Sequence, residues 1–374
     1  MKRIIISATS DLVTDQRVHK VASSCINAGY EVIVVGRAKK DSLAITNRNY
    51  KIKRFKLPFE KGPLFYAFYN LRLFIFLIFN AADAYIANDL DTLMGNYYAA
   101  KIKRTPLLYD NHEYFTGVPE LLDRAFTRNI WKKIERHIFP KLKYVYTVNN
   151  SIKLLFENEY HIPVAVVRNI PLRNESQEIK KKLNIEIPQG NKVIIYQGAI
   201  NKDRGVEEAI QAMQYLENIT LLIVGDGDVF NEVKKIAEQL HIENKIIFTG
   251  KIPFQLLPNY TALADLGLCI EKSTNINYTF SLPNKLFDYI RAGVPILAAD
   301  LIEVKSIINQ YNIGNIIQTH DPKHIAEQIT ISLFDENKIQ LWKKQLKIAS
   351  QELSWENEEK VFLNMLKEAI PSGN

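Results

Sequence analysis

The loop after one predicted strand in the second half of the chain is suited to binding phosphate. An apolar run over 193–196 predicts a strand that leads into Gly198, and Lys202 and Arg204 follow just before a segment with helical spacing. Backbone N–H groups and the helix dipole favour an anion at a helix start. We therefore expect this loop to contact an anionic ligand.

A glycine turn follows the next predicted strand, which covers 221–224. Gly225 and Gly227 stand in the sequence Gly-Asp-Gly directly before another helical segment. They fit a loop that approaches a phosphate closely, but a tight strand-to-helix turn can need such glycines for its backbone alone. Either role explains this motif.

A helix start with a lysine beside it forms the third site suited to phosphate. Ser281 is placed to cap the helix, Pro283 suits its first turn, and Gly293 is placed to end it. The free N–H groups near Asn284 favour an anion. Helix capping accounts for the serine, the proline and the glycine, but it does not require Lys285.

One histidine in the first half of the chain has a position suited to chemistry. His112 comes just after a predicted strand over 107–109 and has Asp110 and Glu113 beside it. A lone histidine is often only a structural hydrogen-bonding group. A position directly after a buried strand, with two carboxylates that could orient the ring, favours a functional role.

Two series of short β-branched segments must position these residues. Each segment is followed by a stretch with helical spacing, and this alternation predicts parallel sheets with helices on both faces. The predicted strands cover 4–7, 32–35, 84–87, 107–109 and 145–148, and then 193–196, 221–224, 246–248, 266–270 and 296–298. The predicted fold class is α/β with two doubly wound sheets, and a ligand is expected beyond the carboxyl ends of the strands, in a cleft between two domains.

The boundary between the two domains is expected near 166–172. The first domain is predicted to cover 1–168 and the second 169–354. The polar stretch 173–184 is expected to form a connection and one short helix.

The composition is that of an ordinary globular protein. Of the 374 residues, 47% are apolar and 24% are charged, without a low-complexity tract or repeat, which excludes disorder, collagen and solenoid architectures. Cys25 and Cys269 lie 244 positions apart in apolar segments, so neither a disulfide framework nor a cysteine-based zinc site is expected. The first residues lack the apolar stretch of a signal peptide, and we expect a cytoplasmic protein.

The positive charge is concentrated in the first half of the chain. Residues 1–165 carry 25 Lys and Arg against 15 Asp and Glu, a net charge of +10, whereas the remaining residues carry 23 against 26, a net charge of −3. This asymmetry favours an anionic partner for the first half. The basic clusters over 51–61 and 124–143 lack the motifs of nucleic-acid-binding proteins, so we expect an anionic membrane surface, with a merely solvated basic face as the alternative.

The most apolar stretch of the chain covers 62–82. Its length is close to the roughly 20 residues that span a bilayer, but Arg72 stands at its centre, where a charge is costly. A buried helix of the first domain and a helix lying on the membrane surface are the other two interpretations. In the surface arrangement, aromatic side chains would insert and the lysines of 51–61 would contact lipid phosphates.

Several longer segments have a joint order and spacing that indicate a family. In the second half these are YQGAINKDRGVEEAIQA, LLIVGDGD, IIFTGKI and SLPNKLFDYIRAGVPILAAD, and in the first half DQRVHKVASSCINAGYEVIVVGR and YDNHEYF. The chain resembles the retaining glycosyltransferases of family 4, which have the GT-B fold with an acceptor-binding first half and a donor-binding second half. SWENEEKVFLNML resembles the family's closing helix, so 355–374 is expected to pack back on the first domain.

The resemblance implies a site for a nucleotide-sugar donor in the second half. Arg204 and Lys285 would pair with the diphosphate and stabilise the charge that develops on the leaving group. Asp288 would hold the ribose hydroxyls, at a position where the family usually has glutamate. The other donor-binding residues implied are Gly198, Lys202, Gly225, Gly227, Ser281, Pro283 and Asn284.

Two positions depart from the family pattern. Phe280 occupies the first position of the family's Glu-x7-Glu motif and cannot hydrogen-bond to a sugar hydroxyl. Glu271 or the loop over 273–278 could take its place. Ala199 stands where many members carry arginine, which leaves Arg204 and Lys202 to balance the diphosphate.

The resemblance implies further roles in the first half. His112 would face the donor sugar across the cleft, and Asp15 and Arg17 would lie where the family has its acceptor loops, although a surface ion pair explains these two equally well. The motifs at 89–91 and 226–228 both read Asp-x-Asp, a spacing that binds metal in another glycosyltransferase fold. We interpret both as helix caps, and we expect no metal or other cofactor to be required.

The implied activity is transfer of a sugar, with retention at the anomeric carbon, from a nucleotide diphosphate donor to an acceptor hydroxyl. We expect UDP rather than GDP as the nucleotide. The acceptor is expected to be a lipid-linked or other saccharide of bacterial envelope polysaccharide synthesis. The protein is expected at the inner face of the cell membrane. A GT-B sugar-nucleotide 2-epimerase, which needs no acceptor, is one alternative. A catalytically silent GT-B binding subunit is another, and Phe280 favours it. Paired carboxylates are also typical of glycosidases, but hydrolysis does not need the phosphate sites.

Overall fold

The computed structural model describes residues 1–45, 48–118, 121, 124–173, 183 and 185–371. It divides into two compact units, of which unit 1 comprises Met1–Asn169 with Trp355–Asn374 and unit 2 comprises Ile170–Ser354. The short helix predicted over 173–184 lies almost entirely outside the described residues.

Unit 1 is built on a parallel sheet of seven strands. These are β1 (Arg3–Ser7), β2 (Glu31–Ala38), β3 (Lys51–Lys56), β4 (Ala84–Asn88), β5 (Leu107–Asn111), β6 (Tyr144–Thr147) and β7 (Ala165–Val166). They pair in the order β3-β2-β1-β4-β5-β6-β7, and every pair is parallel. The central strands β4 and β5 are buried along their whole length, as parallel strands covered on both faces must be.

Unit 2 repeats this plan with six strands. These are β8 (Lys192–Gln197), β9 (Ile219–Val224), β10 (Ile246–Gly250), β11 (Leu266–Cys269), β12 (Ile296–Ala299) and β13 (Gly314–Ile317). They pair in the order β10-β9-β8-β11-β12-β13, again all parallel. The predicted α/β class with two doubly wound parallel sheets is confirmed.

Helices connect the strands in both units. Unit 1 contains α1 (Gln16–Asn27), α2 (Gly62–Phe79), α3 (Leu90–Lys103), α4 (Ala125–Ile138), α5 (Asn150–Tyr160) and the C-terminal α14 (Trp355–Ala369). Unit 2 contains α6 (Val206–Ala212), α7 (Phe230–Gln239), α8 (Leu257–Thr261), α9 (Ile276–Thr279), α10 (Asn284–Ala292), α11 (Ile302–Tyr311), α12 (Pro322–Phe334) and α13 (Glu336–Glu352).

Three strands were missed by the sequence analysis: β3, β7 and β13. The basic cluster over 51–61 contributes β3, an edge strand in which Phe55 is buried while Lys51 and Lys53 are exposed. Lysines on an edge strand discourage pairing with another chain, so part of the basic cluster has a structural explanation. β13 begins with Gly314, where an added Cβ would lie 2.0 Å from the Ile296 carbonyl oxygen, and a glycine of this kind weakens a strand pattern.

The C-terminal helix α14 packs within unit 1. The Trp355 indole N–H donates to the Ser24 hydroxyl at 2.8 Å, and the Phe362 ring contacts Tyr146 with centroids 5.7 Å apart. These buried contacts join α14 to α1 and to β6.

Helix α2 exposes an apolar face. Phe65, Tyr69, Leu73 and Leu77 are buried against unit 1, so the helix is anchored along one side. The opposite side carries five exposed apolar residues at helical spacing, which we call the α2 stripe: Leu64, Phe68, Leu71, Ile75 and Phe79.

The interpretation of α2 as a fully buried helix is therefore wrong. Only 28% of the 18 residues of α2 are buried. Among the described helices, α2 is the one that is long and apolar enough to cross a membrane. Arg72 folds back, donating from Nη1 to the Lys56 carbonyl oxygen at 2.6 Å and lying over the Phe55 ring. This placement removes its charge from the apolar face of the helix.

Candidate active site

The His112 ring lies between two carboxylates of unit 1. His112 directly follows β5, whose residue Asp110 is fully buried. The ring nitrogen Nδ1 is 3.0 Å from Asp89 Oδ2, and Nε2 is 3.2 Å from Asp110 Oδ2. The histidine side chain remains 24% exposed. The ring is therefore fixed in orientation while staying accessible.

The charges around His112 favour its protonated form. Burial disfavours the imidazolium, but the negative charges of Asp89 and Asp110 outweigh burial and raise the pKa of His112 well above its usual value. Burial alone would raise the pKa of Asp110, yet Arg17 and His112 lower it to about 2. Asp89 and Asp110 therefore favour the imidazolium form of His112, in which each ring N–H faces a carboxylate.

Arg17 is part of this buried network. Its Nη2 is 2.7 Å from Asp110 Oδ1 and its Nε donates to Oδ2 at 2.9 Å, while Nη1 donates to the Val167 carbonyl oxygen at 3.0 Å. Asp15 caps α1 by accepting the Val18 N–H at 3.1 Å. The interpretation of Asp15 and Arg17 as a surface ion pair is wrong, because the arginine turns inward.

Asp89 is a site residue that the sequence analysis missed. It accepts the backbone N–H of His112 at 3.0 Å in addition to contacting the ring, and α3 starts after it without a capping bond from its side chain. Asp89 thus stands at the N-cap position, as predicted, but its side chain contacts His112 instead of capping the helix. Glu113, which was predicted to orient His112, donates its backbone N–H to Asn111 Oδ1 at 3.4 Å, and the carboxylates that contact the ring are Asp89 and Asp110.

The backbone of Asp89 is strained. Its φ of 60° and ψ of 165° fall in a region populated almost only by glycine, and such conformations cost about 1–3 kcal/mol and persist where the surroundings enforce them. Asp89 ends up at the carboxyl end of β4, next to β5. Asp89 lies beside His112 because β4 pairs with β5, and the spacing of the two residues along the chain could not predict this contact.

Asp91 differs from Asp89 in its environment. It is 8% exposed and accepts a hydrogen bond from Thr9 Oγ1 at 2.5 Å. Burial and the neighbouring Asp89 raise the pKa of Asp91 to about 7. The two carboxylates of this Asp-x-Asp motif are thus committed to different partners.

The second Asp-x-Asp motif does not cap a helix either. Asp226 Oδ1 accepts the N–H of Gly227 at 2.8 Å, and α7 begins after Val229 without a side-chain cap. Among the residues with described positions, no group of three or more His, Cys, Asp or Glu side chains is arranged to hold a metal ion.

Two of the predicted cations converge on one buried carboxylate in unit 2. Glu271 follows β11 and is fully buried, and its Oε1 lies 2.9 Å from Lys285 Nζ and 3.8 Å from Arg204 Nη1. Lys285 is 7% exposed and Arg204 25% exposed. The loop after β8, the end of β11 and the first turn of α10 together form this group, which we call the cation cluster.

The cation cluster has two positive charges and one negative charge, so an anion can still bind to it. Burial opposes both charges, but mutual attraction raises the pKa of Lys285 and lowers that of Glu271. Lys285 Nζ lies 2.9 Å from Glu271 Oε1 and 3.6 Å from the centroid of the Tyr196 ring. Because an ammonium group has three N–H donors, one remains for a ligand after these two contacts.

The three predicted phosphate-contacting glycines differ in their surroundings. At Gly198, with φ +123°, an added Cβ would meet only Lys285 Cε, at 3.7 Å, so this backbone faces the cation cluster. An added Cβ would lie 1.9 Å from the Gly198 carbonyl oxygen at Gly225 and 2.4 Å from the Ile200 carbonyl oxygen at Gly227. Close packing of two loops therefore requires Gly225 and Gly227 irrespective of any ligand.

The helix α10 starts two residues later than a cap at Ser281 would place it. Pro283 is the N-cap residue, with an extended ψ of 145°, and no side chain caps the helix. The prediction of Ser281 as the cap is wrong, because Pro283 holds an extended backbone and delays the helix to Asn284. Gly293 ends the helix with φ +71°, as predicted. Pro283 has no side-chain group that could cap the first-turn N–H groups beside Lys285.

The other residues considered for binding the nucleotide-sugar donor differ in their burial. Asp288 accepts a hydrogen bond from Gln197 Nε2 at 3.0 Å and is 13% exposed. Phe280 follows α9 and is partly buried. Lys202 is exposed.

Two family models match this chain. The one described as Glycosyltransferase Family 4 matches residues 15–171, and the one described as Glycosyl transferases group 1 matches residues 176–348. This chain belongs to glycosyltransferase family 4. The resemblance inferred from the sequence is confirmed, and the two matches fall on unit 1 and unit 2 of this family 4 protein.

Curated relatives match parts of this family 4 chain. N-acetyl-alpha-D-glucosaminyl L-malate synthase from Bacillus anthracis is 23% identical over 167 residues, 44% of this chain and 41% of that protein. Alpha-monoglucosyldiacylglycerol synthase from Streptococcus pneumoniae is 24% identical over 180 residues, 47% of this chain and 39% of that protein. The matches thus span about two fifths of the length of these relatives.

A solved structure covers the whole fold. HepE from Anabaena, in complex with UDP-glucose, superimposes with a TM-score of 0.72 at 16% identity and covers 98% of this chain and 100% of that chain. This similarity establishes the GT-B fold.

Proposed function

We propose that this protein transfers a glycosyl group from a nucleotide diphosphate sugar, with UDP as the nucleotide, to a hydroxyl of an acceptor, with retention at the anomeric carbon. The observation that carries the proposal is the cation cluster, in which the buried Lys285 and the partly buried Arg204 adjoin an uncapped helix start and the open backbone of Gly198. The UDP-glucose named for HepE supports the choice of donor.

The reaction breaks the bond between the anomeric carbon and a diphosphate oxygen and forms a bond from the same carbon to the acceptor oxygen. Negative charge develops on the leaving diphosphate, where Lys285 and Arg204 stabilise it. The departing oxygen takes the proton of the acceptor hydroxyl, so attack occurs on the face that the leaving group occupied. Positive charge comes from side chains and helix N–H groups, and the reaction proposed here requires no metal.

Unit 1 contributes the cation His112 to the transfer step in this proposal. Each ring nitrogen of His112 already faces a carboxylate, so in this proposal the imidazolium contributes its positive charge to the site rather than removing a proton. Asp288 is proposed to hold the ribose. The place left by Phe280 in the family motif is proposed to be taken by Glu271, which is already paired with Lys285 and Arg204, or by the loop over 273–278.

A ligand panel tests this function. Because binding to the native state alone raises the unfolding temperature, UDP-, GDP- and ADP-sugars should separate by thermal shift, with UDP-sugars giving the largest increase. Labelled donors then distinguish the reactions, since a transferase gives transfer or slow hydrolysis, an epimerase gives the epimer, and a silent subunit gives binding without turnover. Either of the last two results contradicts the proposal.

We also propose that the protein works at the inner face of the cell membrane on a lipid-linked or other saccharide acceptor of envelope polysaccharide synthesis. The α2 stripe supports this, because four of its five side chains are between 43% and 57% exposed and Phe79 is 82% exposed. An exposed apolar face of this size on a basic unit is typical of helices that lie on anionic membranes.

A further inference from the structure

Three polar side chains of unit 2 form a hydrogen-bonded row, which we call the polar row: Thr261, Gln197 and Asp288. Thr261 Oγ1 donates to Gln197 Oε1 at 2.7 Å, and Gln197 Nε2 donates to Asp288 Oδ2 at 3.0 Å. Thr261 is the last residue of α8, Gln197 is the last residue of β8, and Asp288 lies in the second turn of α10. The row therefore joins three separate elements at the carboxyl end of β8.

The amide of Gln197 is held at both ends. Gln197 and Thr261 are each 1% exposed, so their polar atoms need partners within the protein. The amide nitrogen must face the carboxylate of Asp288, because an amide oxygen at that distance would be repelled. The amide oxygen is then left to accept the hydroxyl proton of Thr261. Both contacts require the same orientation of the Gln197 side chain.

Asp288 is the member of the polar row that reaches solvent, with 13% of its side chain exposed. It lies three residues after Lys285 on α10, and residues three apart lie on the same face of a helix. Arg291 Nη2 contacts the other carboxylate oxygen, Oδ1, at 3.5 Å. The Asp288 carboxylate thus lies one helical turn from a cation of the cation cluster, where the ribose of a bound nucleoside diphosphate would adjoin its phosphates.

We propose that Gln197 is a positioning residue for ribose recognition, which orients the Asp288 carboxylate towards the ribose hydroxyls of the donor and is itself held by Thr261. This inference rests on the proposed function, in which Asp288 holds the ribose. A carboxylate that is already held in one rotamer loses less conformational entropy when the ligand binds. The amide adds no charge of its own, so the carboxylate remains a strong acceptor for hydroxyl groups.

A purely structural role for the polar row makes a different prediction. If Gln197 only ties α8, β8 and α10 together, its loss should weaken the binding of every nucleotide to unit 2. If it positions Asp288, its loss should weaken only the binding of nucleotides that carry ribose hydroxyls. The pair UDP and 2′,3′-dideoxy-UDP separates the two roles, because the second nucleotide lacks both hydroxyls.

The test uses two variants of the polar row in the full chain. Gln197→Met keeps a long unbranched side chain but removes the amide, and Thr261→Val removes the hydroxyl. Thr220→Val is the matched control, since Thr220 is also 1% exposed and accepts a hydrogen bond from Asn191 Nδ2 at 3.0 Å. It lies near the start of β9, at the opposite end of the strands from Gln197. Calorimetry measures the affinity for both nucleotides, and circular dichroism checks folding.

We expect wild type to prefer UDP to 2′,3′-dideoxy-UDP by at least about tenfold, as hydrogen bonds to a charged group allow. Gln197→Met should lower this preference by about fivefold or more and Thr261→Val by about two- to threefold, while Thr220→Val keeps it. The affinity for 2′,3′-dideoxy-UDP should stay the same in all three variants. In Asp288→Ala the preference should vanish, and adding Gln197→Met should change nothing more, because the glutamine acts through that carboxylate.

Four results would overturn the role of Gln197. Equal losses of affinity for both nucleotides in Gln197→Met would make the polar row purely structural, and an unchanged preference would show that Asp288 needs no partner. Wild type that binds both nucleotides equally would remove the ribose from Asp288 and leave the proposed transfer to be judged by turnover. Wild type that binds neither nucleotide would overturn the UDP donor as well. If Gln197→Met does not fold, Thr261→Val against Thr220→Val decides by the same criterion.

Discussion

At the residue scale, the cation cluster is the part of the molecule on which the proposed chemistry depends. Replacing Lys285 or Arg204 by alanine should lower kcat by roughly a hundredfold to a thousandfold, the usual cost of one preorganised group that stabilises developing charge. Lys235→Ala is the control, because this lysine of the same unit is exposed on α7 and is not among the predicted donor-binding residues. Turnover with a UDP-sugar measures the effect, and near-normal rates in both variants would contradict the diphosphate assignment.

Two buried aspartates of unit 1 should respond to pH with opposite signs. The pKa of Asp110 is lowered to about 2, so its carboxylate stabilises the native state above about pH 4, and this contribution is lost as the pH falls towards 2. The pKa of Asp91 is raised to about 7, so the native state loses stability as the pH rises from about 4 to about 7.

Asparagine variants of these two aspartates test the assignment. Asp110→Asn leaves Arg17 without its buried partner and should cost about 3–5 kcal/mol of unfolding free energy at pH 7. Asp91→Asn should be neutral or stabilising at pH 7, because the amide avoids the cost of ionising a buried carboxyl. Denaturant unfolding at pH 7 and at pH 4 measures both, and a large loss in Asp91→Asn would contradict the raised pKa.

At the scale of elements, the loops after β8 and β9 depend on glycine for their contact. Gly225→Ala would place a methyl group 1.9 Å from the Gly198 carbonyl oxygen, in addition to backbone strain at φ +146°. Gly190→Ala is the control, since φ is +87° but no atom lies within 4 Å of an added Cβ. We expect about 1 kcal/mol for Gly190→Ala and more than about 3 kcal/mol for Gly225→Ala, measured by denaturant unfolding. Similar costs would show that the two loops separate easily.

The α2 stripe should act as a membrane-contacting element. Phe68→Ser and Leu71→Ser together should weaken binding to anionic vesicles by more than about tenfold, since each buried apolar side chain contributes roughly 1.5–3 kcal/mol. Both residues are exposed, and so are Leu154 and Leu341 elsewhere, whose paired serine variants serve as the control. Stability should change little in either pair. Equal binding of the two double variants would argue that the acceptor is reached without α2.

At the scale of the whole molecule, the prediction concerns a division of labour between the two units. Because the cation cluster belongs to unit 2 and His112 to unit 1, His112→Ala should keep its affinity for UDP, which has no sugar to contact, and should lose most of its transfer activity. Calorimetric binding of UDP and turnover are measured on the same preparation. A parallel fall in affinity and turnover would place His112 in the nucleotide site or make it purely structural.

The order of elements, the α/β class and the family could be determined from the sequence, because hydrophobic periodicity and loop motifs are local along the chain. For the same reason Arg204, Lys285 and His112 could be named as candidates from the loops that carry them. Residues whose partners come from other strands could not be assigned in this way.

Only the tertiary structure decided those partners. Asp89 contacts His112 because β4 lies beside β5 in the sheet, and Arg17 reaches Asp110 from α1. The same holds for Glu271, which contacts one cation from the loop after β8 and one from the first turn of α10. It also holds for β3, an edge strand whose lysines we had assigned to a basic cluster only. In a parallel sheet, the strand order decides which distant segments become neighbours, and the local pattern of residues does not predict this order.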